Sequence, residues 1–227
     1  LHPGEILLLE NIRFIAGEEK NDPVFAHQMA RGGDIYVNDA FSTAHRAHPS
    51  SEGIAHFLPS YAGRLMEEEL NALDMALAHP KRPLMAIVGG AKVSTKLPLL
   101  EHLLEKVDVL VVGGAMANTF LAALGYNVGA SLYEPDHLET AKSLLAKGCE
   151  IILPEDGMVA KSLEETESIR NCLVSDIQAD EKIFDIGPLT CKRILERLQS
   201  CHTLLWNGPV GVFEVPPFDK GTTTLAQ

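Results

Sequence analysis

The chain has 227 residues, 46% of them hydrophobic, and a formal charge of -12 with histidines neutral. This length and apolar content permit one or two units with a sizeable core, and no apolar run reaches the ~20 residues that cross a bilayer. The acidic balance supplies no broad basic field for a phosphate backbone, so a general nucleic-acid or membrane-surface binder is disfavoured, and an anionic ligand would need a local basic pocket.

Residues 6–9 form a strand-like apolar run close behind Leu1, which is not a methionine. Asp22 and Pro23 supply a helix N-cap and first residue, VFAHQMA continues the helix, and Gly32-Gly33 end it before the strand-like DIYVN. This is a β-α-β order. In GRLMEEELNALDMALAHP, Leu65, Met66, Leu70, Leu73 and Leu77 fall at helical spacing and Pro80 stops the run, which predicts one long amphipathic helix. After Pro83 the alternation restarts with a strand over 84–88, a helix from about 94 to 106, a strand over 108–112 and a helix over 116–124. A helix over 136–147, a strand over 150–153, a helix over 188–199 and a strand over 203–206 extend it, with shorter strands and turns expected between 156 and 186. TTTLAQ reads as the first turns of a further helix, so both ends suggest an internal fragment. The alternation implies an α/β fold whose parallel sheet is covered on both faces.

Cys149, Cys172, Cys191 and Cys201 form no CxxC pair and no metal-like spacing with histidine, which predicts buried reduced thiols in a cytosolic protein. In doubly wound sheets, ligands sit beyond the carboxyl ends of the strands. Gly89-Gly90 follow MAIV, Gly113-Gly114 follow VLVV, Gly187 follows KIFDI, and WNGPVGVFE follows TLL. One glycine after a strand is most often a tight turn. Four in one sheet, with lysines beside one of them, favour a site.

Lys92 and Lys96, four apart in GGAKVSTK, are expected on one face of a helix that opens beside its own free N–H groups. A solvated helix face is the plainer alternative. Two cations at a helix start oppose its dipole unless an anion joins them. The stretch matches neither GxxxxGK[ST] nor GxGxxG, which leaves a polyphosphate or a transferring phosphoryl group as the anion.

GGAKVSTK, VVGGAMANTF, DIGP and WNGPVGVFE, with LLLENIRF, GEEKNDPVFA, VNDAFSTAHRAH and LPSYAGRLMEEEL before them, closely resemble the phosphoglycerate kinase family. The motifs stand in the family's order over essentially the whole chain. The resemblance implies two Rossmann-like α/β domains with parallel sheets, joined by a long helix, both domains incomplete here. Residues 1–64 would be part of the N-terminal phosphoglycerate-binding domain, 65–80 the interdomain helix, and 81–227 most of the C-terminal nucleotide-binding domain. The implied reaction is reversible phosphoryl transfer between 1,3-bisphosphoglycerate and ADP, giving 3-phosphoglycerate and ATP, with Mg2+ accompanying the nucleotide. A cytoplasmic enzyme, monomeric when complete, with small-molecule partners and no nucleic acid or membrane, is expected.

By the same resemblance, Arg13 and Arg46 match basic residues that grip the phosphoglycerate, where a planar guanidinium can form paired hydrogen bonds. From the residues alone, Arg13 could equally be a surface partner of Glu10. His45 would help orient the substrate, and His45 and His48 together read as pocket-lining or structural rather than metal-binding. Lys96 matches the family's nucleotide-phosphate lysine, and Lys92 the lysine beside the group in flight; Lys92 and Arg13 are the catalytic candidates. Gly113, Gly114 and Gly187 would line the adenine pocket, Asn207 would lie near the phosphates, and Glu214 would accept a hydrogen bond from the ribose. Ala115 stands where the family often has a third glycine. As a plainer reading, WNGPVGVF is a turn-rich loop with a buried Trp206.

The family's early aspartate-asparagine pair, a further arginine and a histidine-glycine-arginine stretch do not appear after Leu1, and its late GGDT or GGDS motif does not appear before Gln227. The aspartate expected to hold the metal would lie beyond Gln227, so no metal ligand is assigned in this chain. The chain alone is expected to be inactive or nearly so. The resemblance also implies hinge closure that excludes water and brings Arg13 and Arg46 to face Lys92 and Lys96. A non-catalytic nucleotide-binding module and a Rossmann-type dehydrogenase are the competing classes; the dehydrogenase lacks GxGxxG.

Overall fold

In the computed structural model, which describes residues 2–227, the chain divides into two compact units, Leu1–Met75 and Ala76–Gln227. Leu1, the start of the expected N-terminal portion, lies outside the described residues.

In the first unit, helix α1 spans Pro23–Ala30. The Asp22 carboxylate accepts a hydrogen bond from the Val24 N–H at 2.8 Å, and Pro23 presets the first helical φ, so the helix starts where the cap pattern put it. Strands β1 (Tyr36–Asn38) and β2 (Ser60–Ala62) pair in parallel, Tyr36 opposite Ser60. Helix α2 spans Arg64–Leu77, and its Met66 N–H donates to the Asp39 carboxylate at 3.0 Å. The division between the units falls within α2.

Two expectations change here. Residues 6–9 form no strand: no described segment offers them a ladder, and Ile6 and Leu8 are 95% and 93% exposed. An apolar run becomes a strand only when its backbone finds a partner. On α2 only Met66 is buried, while Leu65 and Leu70 are exposed, so the apolar stripe is only partly used within this unit.

The second unit is built on strands β3 (Leu84–Val88), β4 (Val109–Val112), β5 (Glu150–Ile152) and β9 (Thr203–Asn207), all parallel in the order β5-β4-β3-β9. Side-chain alternation divides two cores. Leu84, Ala86, Val88, Leu110 and Val112 pack with helices α3 (Leu97–Leu104), α4 (Ala115–Ala123) and α5 (Leu138–Leu145). Met85, Ile87, Val109 and Val111 pack on the other face with α6 (Pro188–Leu198) and α7 (Lys220–Ala226). Being covered on both faces is why the central strands β3 and β4, buried at every residue, read as unbroken apolar runs rather than alternating ones.

Residues 156–186 fold into a second sheet, antiparallel, in the order β7-β6-β8, with β6 at Asp156–Ala160, β7 at Arg170–Leu173 and β8 at Lys182–Ile186. Asp156 joins this sheet to α6. Its carboxylate accepts from the Leu189 and Thr190 N–H groups at 3.0 and 2.8 Å and from the Thr190 hydroxyl at 2.6 Å. The four cysteines are free; Cys191 is buried and the others are partly so. Among the described residues no helix is long and apolar enough to cross a membrane.

Candidate functional site

The carboxyl ends of β3, β4 and β9 come together through backbone. The Gly89 N–H donates to the Asn207 carbonyl, the Gly113 N–H to the Val88 carbonyl, the Gly114 N–H to the Val210 carbonyl and the Met116 N–H to the Gly90 carbonyl, all at 2.9 Å. Gly114 has φ +67°, and a Cβ there would stand 2.6 Å from the Gly90 oxygen; Gly90 itself has φ +144°. Only glycine permits both the backbone conformation and the contact.

Beside this junction lies a cavity of about 220 Å³, lined among others by Gly90, Gly114, Ala115, Ile183, Phe184, Val212 and Glu214. Its walls are glycine backbone and apolar side chains, with Glu214 as the acid, a suitable surface for a flat heterocycle carrying hydroxyls. The Val212 N–H donates to the Phe184 carbonyl at 2.8 Å and the Phe184 ring packs on Phe218 at 4.9 Å, which ties the 207–218 loop to β8. Trp206 is partly buried, and its indole N–H donates to the Gly208 carbonyl at 2.7 Å.

On the other side of Gly90 runs the loop that bears the lysines. The expected helix from about 94 to 106, with both ammonium groups on one face, is corrected: α3 begins at Leu97, Lys96 occupies its N-cap position, and Lys92 lies in the loop before it. The reason is local tethering. Val93 is fully buried, and the Ser94 N–H and hydroxyl donate to the Glu134 carboxylate at 2.9 and 2.5 Å, so 91–95 is held as a loop. Lys96 Nζ donates to Asn207 Oδ1 at the end of β9, and Lys92 is exposed. Lys96, Asn207, Gly113, Gly114 and Glu214 therefore share one end of one sheet, with the lysine pair beside Gly90.

Gly187 does not belong to this group. The glycine-bearing strand ends are not four in one sheet, because β8, which precedes Gly187, lies in the antiparallel sheet. The Gly187 N–H donates to the Asp156 carbonyl at 2.9 Å, and Gly187 is absent from the cavity lining. Ile183 and Phe184 line the cavity from that strand instead, residues that local patterning passed over because nothing in KIFDI signals which sheet it joins.

In the first unit Arg13, His45 and Arg46 are all exposed. Arg13 sits in a single-turn helix whose cap, Asn11, accepts its N–H at 3.1 Å; the Glu10 carboxylate accepts from the Asn11 N–H, and no ion pair joins Glu10 to Arg13 among the described residues. The loop around Arg46 is anchored by a buried acid. Glu18, 1% exposed, accepts from the Ser50 hydroxyl and lies 3.5 Å from His48 Nδ1, which makes His48 structural. The Ser51 hydroxyl donates to the Arg46 carbonyl at 2.7 Å.

The family model "Phosphoglycerate kinase" matches residues 1–227. Phosphoglycerate kinase of Rhodospirillum centenum is 56% identical and that of Zymomonas mobilis 55%, each over 100% of this chain and 58% of the relative. The chain thus spans less than two thirds of the length of these curated relatives. Among solved structures, phosphoglycerate kinase from Coxiella burnetii superposes with a TM-score of 0.83 at 44% identity, covering 100% of this chain and 60% of that one. The enzyme from Pyrococcus horikoshii OT3 gives 0.84 at 32% identity, covering 98% and 59%.

Proposed function

The chain belongs to the phosphoglycerate kinase family, and on that premise we propose that it supplies part of an enzyme of reversible phosphoryl transfer between 1,3-bisphosphoglycerate and ADP, giving 3-phosphoglycerate and ATP. The observation that carries the reading is the meeting of Lys96 and Asn207 beside the glycine-walled cavity that also holds Glu214. Phosphoryl transfer asks mainly for positioning and charge neutralisation. Lys92 neutralises the group in flight, Lys96 and Asn207 hold the nucleotide phosphates, and Gly113 and Gly114 let the adenine lie against backbone. Glu214 accepts from a ribose hydroxyl. Arg13 and Arg46, with His45, grip the phosphoglycerate in the first unit.

Mg2+ accompanies the nucleotide in this reading. Among the described residues no three His, Cys, Asp or Glu side chains cluster as a metal site, and Mg2+ is commonly held by one or two carboxylates together with substrate phosphates. The charge neutralisation assigned above falls to Lys92, Lys96, Arg13 and Arg46. A monomeric cytoplasmic enzyme with small-molecule partners belongs to the same proposal. Because the chain spans 58% of its relatives, the 227 residues alone are expected to show little or no turnover.

The test is a coupled 3-phosphoglycerate-dependent ATPase assay on the protein at the full length of its relatives, beside Lys92→Ala and the 227-residue chain. Activity that collapses in Lys92→Ala supports the reading. ADP binding without transfer in the full-length protein would replace it with a binding module.

A further inference from the structure

We propose that Glu134 is a positioning residue for the lysine-bearing loop 91–96, setting the spacing of Lys92 and Lys96 before nucleotide arrives. The inference rests on the nucleotide reading above. Glu134 lies in SLYEPD, a stretch with no motif of its own, forty residues from its partner Ser94.

Ser94 sits midway between the two lysines and spends both its donors on one carboxylate: the N–H on Oε2 at 2.9 Å and the hydroxyl on Oε1 at 2.5 Å. Glu134 is itself held. Its N–H donates to Thr119 Oγ1 at 3.1 Å, and the neighbouring Asn118 donates its side-chain amide to the Leu132 carbonyl at 3.0 Å. Asn118 and Thr119 are both buried in α4. The start of the loop is tied to the same helix, where the Met116 N–H meets the Gly90 carbonyl. One rigid element therefore clasps the loop at Gly90 and at Ser94, with Lys92 between the two clasps and Lys96 just beyond the second.

The physical need is plain. Two ammonium groups on a short loop repel each other, and within the loop only a single turn, with the Lys96 N–H donating to the Val93 carbonyl and the Thr95 hydroxyl to the Lys92 carbonyl, both at 2.9 Å, resists their spreading among the described residues. A carboxylate that binds the intervening residue twice removes that freedom in advance, so less ordering remains when the phosphates bind. Burial works to raise the Glu134 carboxyl, but hydrogen bonds from the Ser94 hydroxyl and amide outweigh it and hold the group below the ordinary carboxylate range.

Calorimetric titration of the full protein with ADP and with adenosine separates this from a role in folding alone. Glu134→Gln and Ser94→Ala are each expected to weaken ADP about tenfold, the worth of one charge-assisted contact, and to leave adenosine within about twofold. The double variant should be no weaker than the worse single, because the hydroxyl bond lost in Ser94→Ala is one of the two that Glu134 makes to this residue, so the losses overlap rather than add. Ser94→Ala leaves the Glu134 contact with α4 in place, so the comparison survives if Glu134→Gln fails to fold. Unchanged ADP affinity, a parallel loss of adenosine, or an additive double variant would each overturn the proposal. Absence of ADP binding in the unsubstituted protein would overturn the nucleotide reading first, and this with it.

Discussion

Lys96 and Asn207, 111 residues apart in sequence, are joined by a hydrogen bond from Nζ to Oδ1. The bond holds the ammonium at the end of β9, where a phosphate replacing the amide oxygen would find it already placed. Lys96→Ala is expected to weaken ADP by roughly ten- to a hundredfold, the range of a hydrogen bond to a charged group. Asn207→Ala should cost less, since the cation remains. Equilibrium titration with ADP checks the order; equal losses from both would mean Asn207 contacts the phosphates as strongly as the lysine does.

Glu214 is the acid in the lining of the cavity beside Gly114. If it accepts from the ribose, Glu214→Ala weakens ADP about tenfold while leaving a ribose-deoxygenated analogue nearly unaffected. Affinity measured for both ligands decides, and an equal loss for both would move Glu214 off the ribose.

Asp185 is buried and accepts from the Gly221 and Ile186 N–H groups at 2.6 and 2.9 Å. Burial raises its carboxyl to about 6, with nearby Asp219 adding to the rise and the two N–H donors opposing it. A raised folded value stabilises the chain below the unfolded value near 4 and loses that contribution as pH climbs through about 6. Relative to Asp185→Asn, the wild-type chain should therefore lose on the order of 2 kcal/mol of unfolding free energy between pH 4 and pH 7. Urea titrations of both proteins across that range provide the check, and a flat difference would refute it.

Arg170 grips Glu181 with two bonds, Nε to Oε1 at 2.7 Å and Nη2 to Oε2 at 2.8 Å, and the Gln178 N–H adds a third. Arg170 chiefly holds the Glu181 carboxyl below its ordinary range. Removing the partner of a buried carboxylate costs about 3 kcal/mol or more, less where the partner is partly exposed as Arg170 is. Arg170→Met is expected to lose about 2 kcal/mol at pH 7. The loss should shrink at acid pH, because without the Arg170 bonds burial is left to raise the Glu181 carboxyl, which then protonates before the paired carboxyl of the wild type does. Chemical denaturation at pH 7 and pH 3.5 tests both statements.

Much of the second unit was legible because its signals are local. The runs at 84–88 and 109–112 are apolar because β3 and β4 are short parallel strands buried at every residue, and Asp22-Pro23 carries its own cap chemistry. What local pattern lacks is partnership. The run at 6–9 has strand composition without a described ladder, and α3 starts late because Ser94 answers to Glu134, forty residues on. Gly187 follows a strand as Gly113 does, but sheet membership, fixed by pairing with β6, sends it elsewhere and brings Ile183 and Phe184 to the cavity. Lys96 and Gly114 were marked by glycines behind strands and by the lysine spacing, whereas the roles of Asn207 and Glu214 were legible only through resemblance, since no single spacing links the four.

The Asp156 carboxylate on the first turn of α6 also bears on which strand end is free to accept an anion. Gly187-Pro188 opens a helix behind a strand, as a phosphate loop would, yet its leading amides are already answered from within the chain. The α6 start is a lock with its key built in. An incoming polyphosphate would have to evict a tethered rival there, whereas the β3 loop presents an exposed Lys92 and a lysine whose partner is a neutral amide. Two doorways that look alike in the sequence thus differ in vacancy, and selectivity between them comes from what the protein has filled as much as from what it has left open.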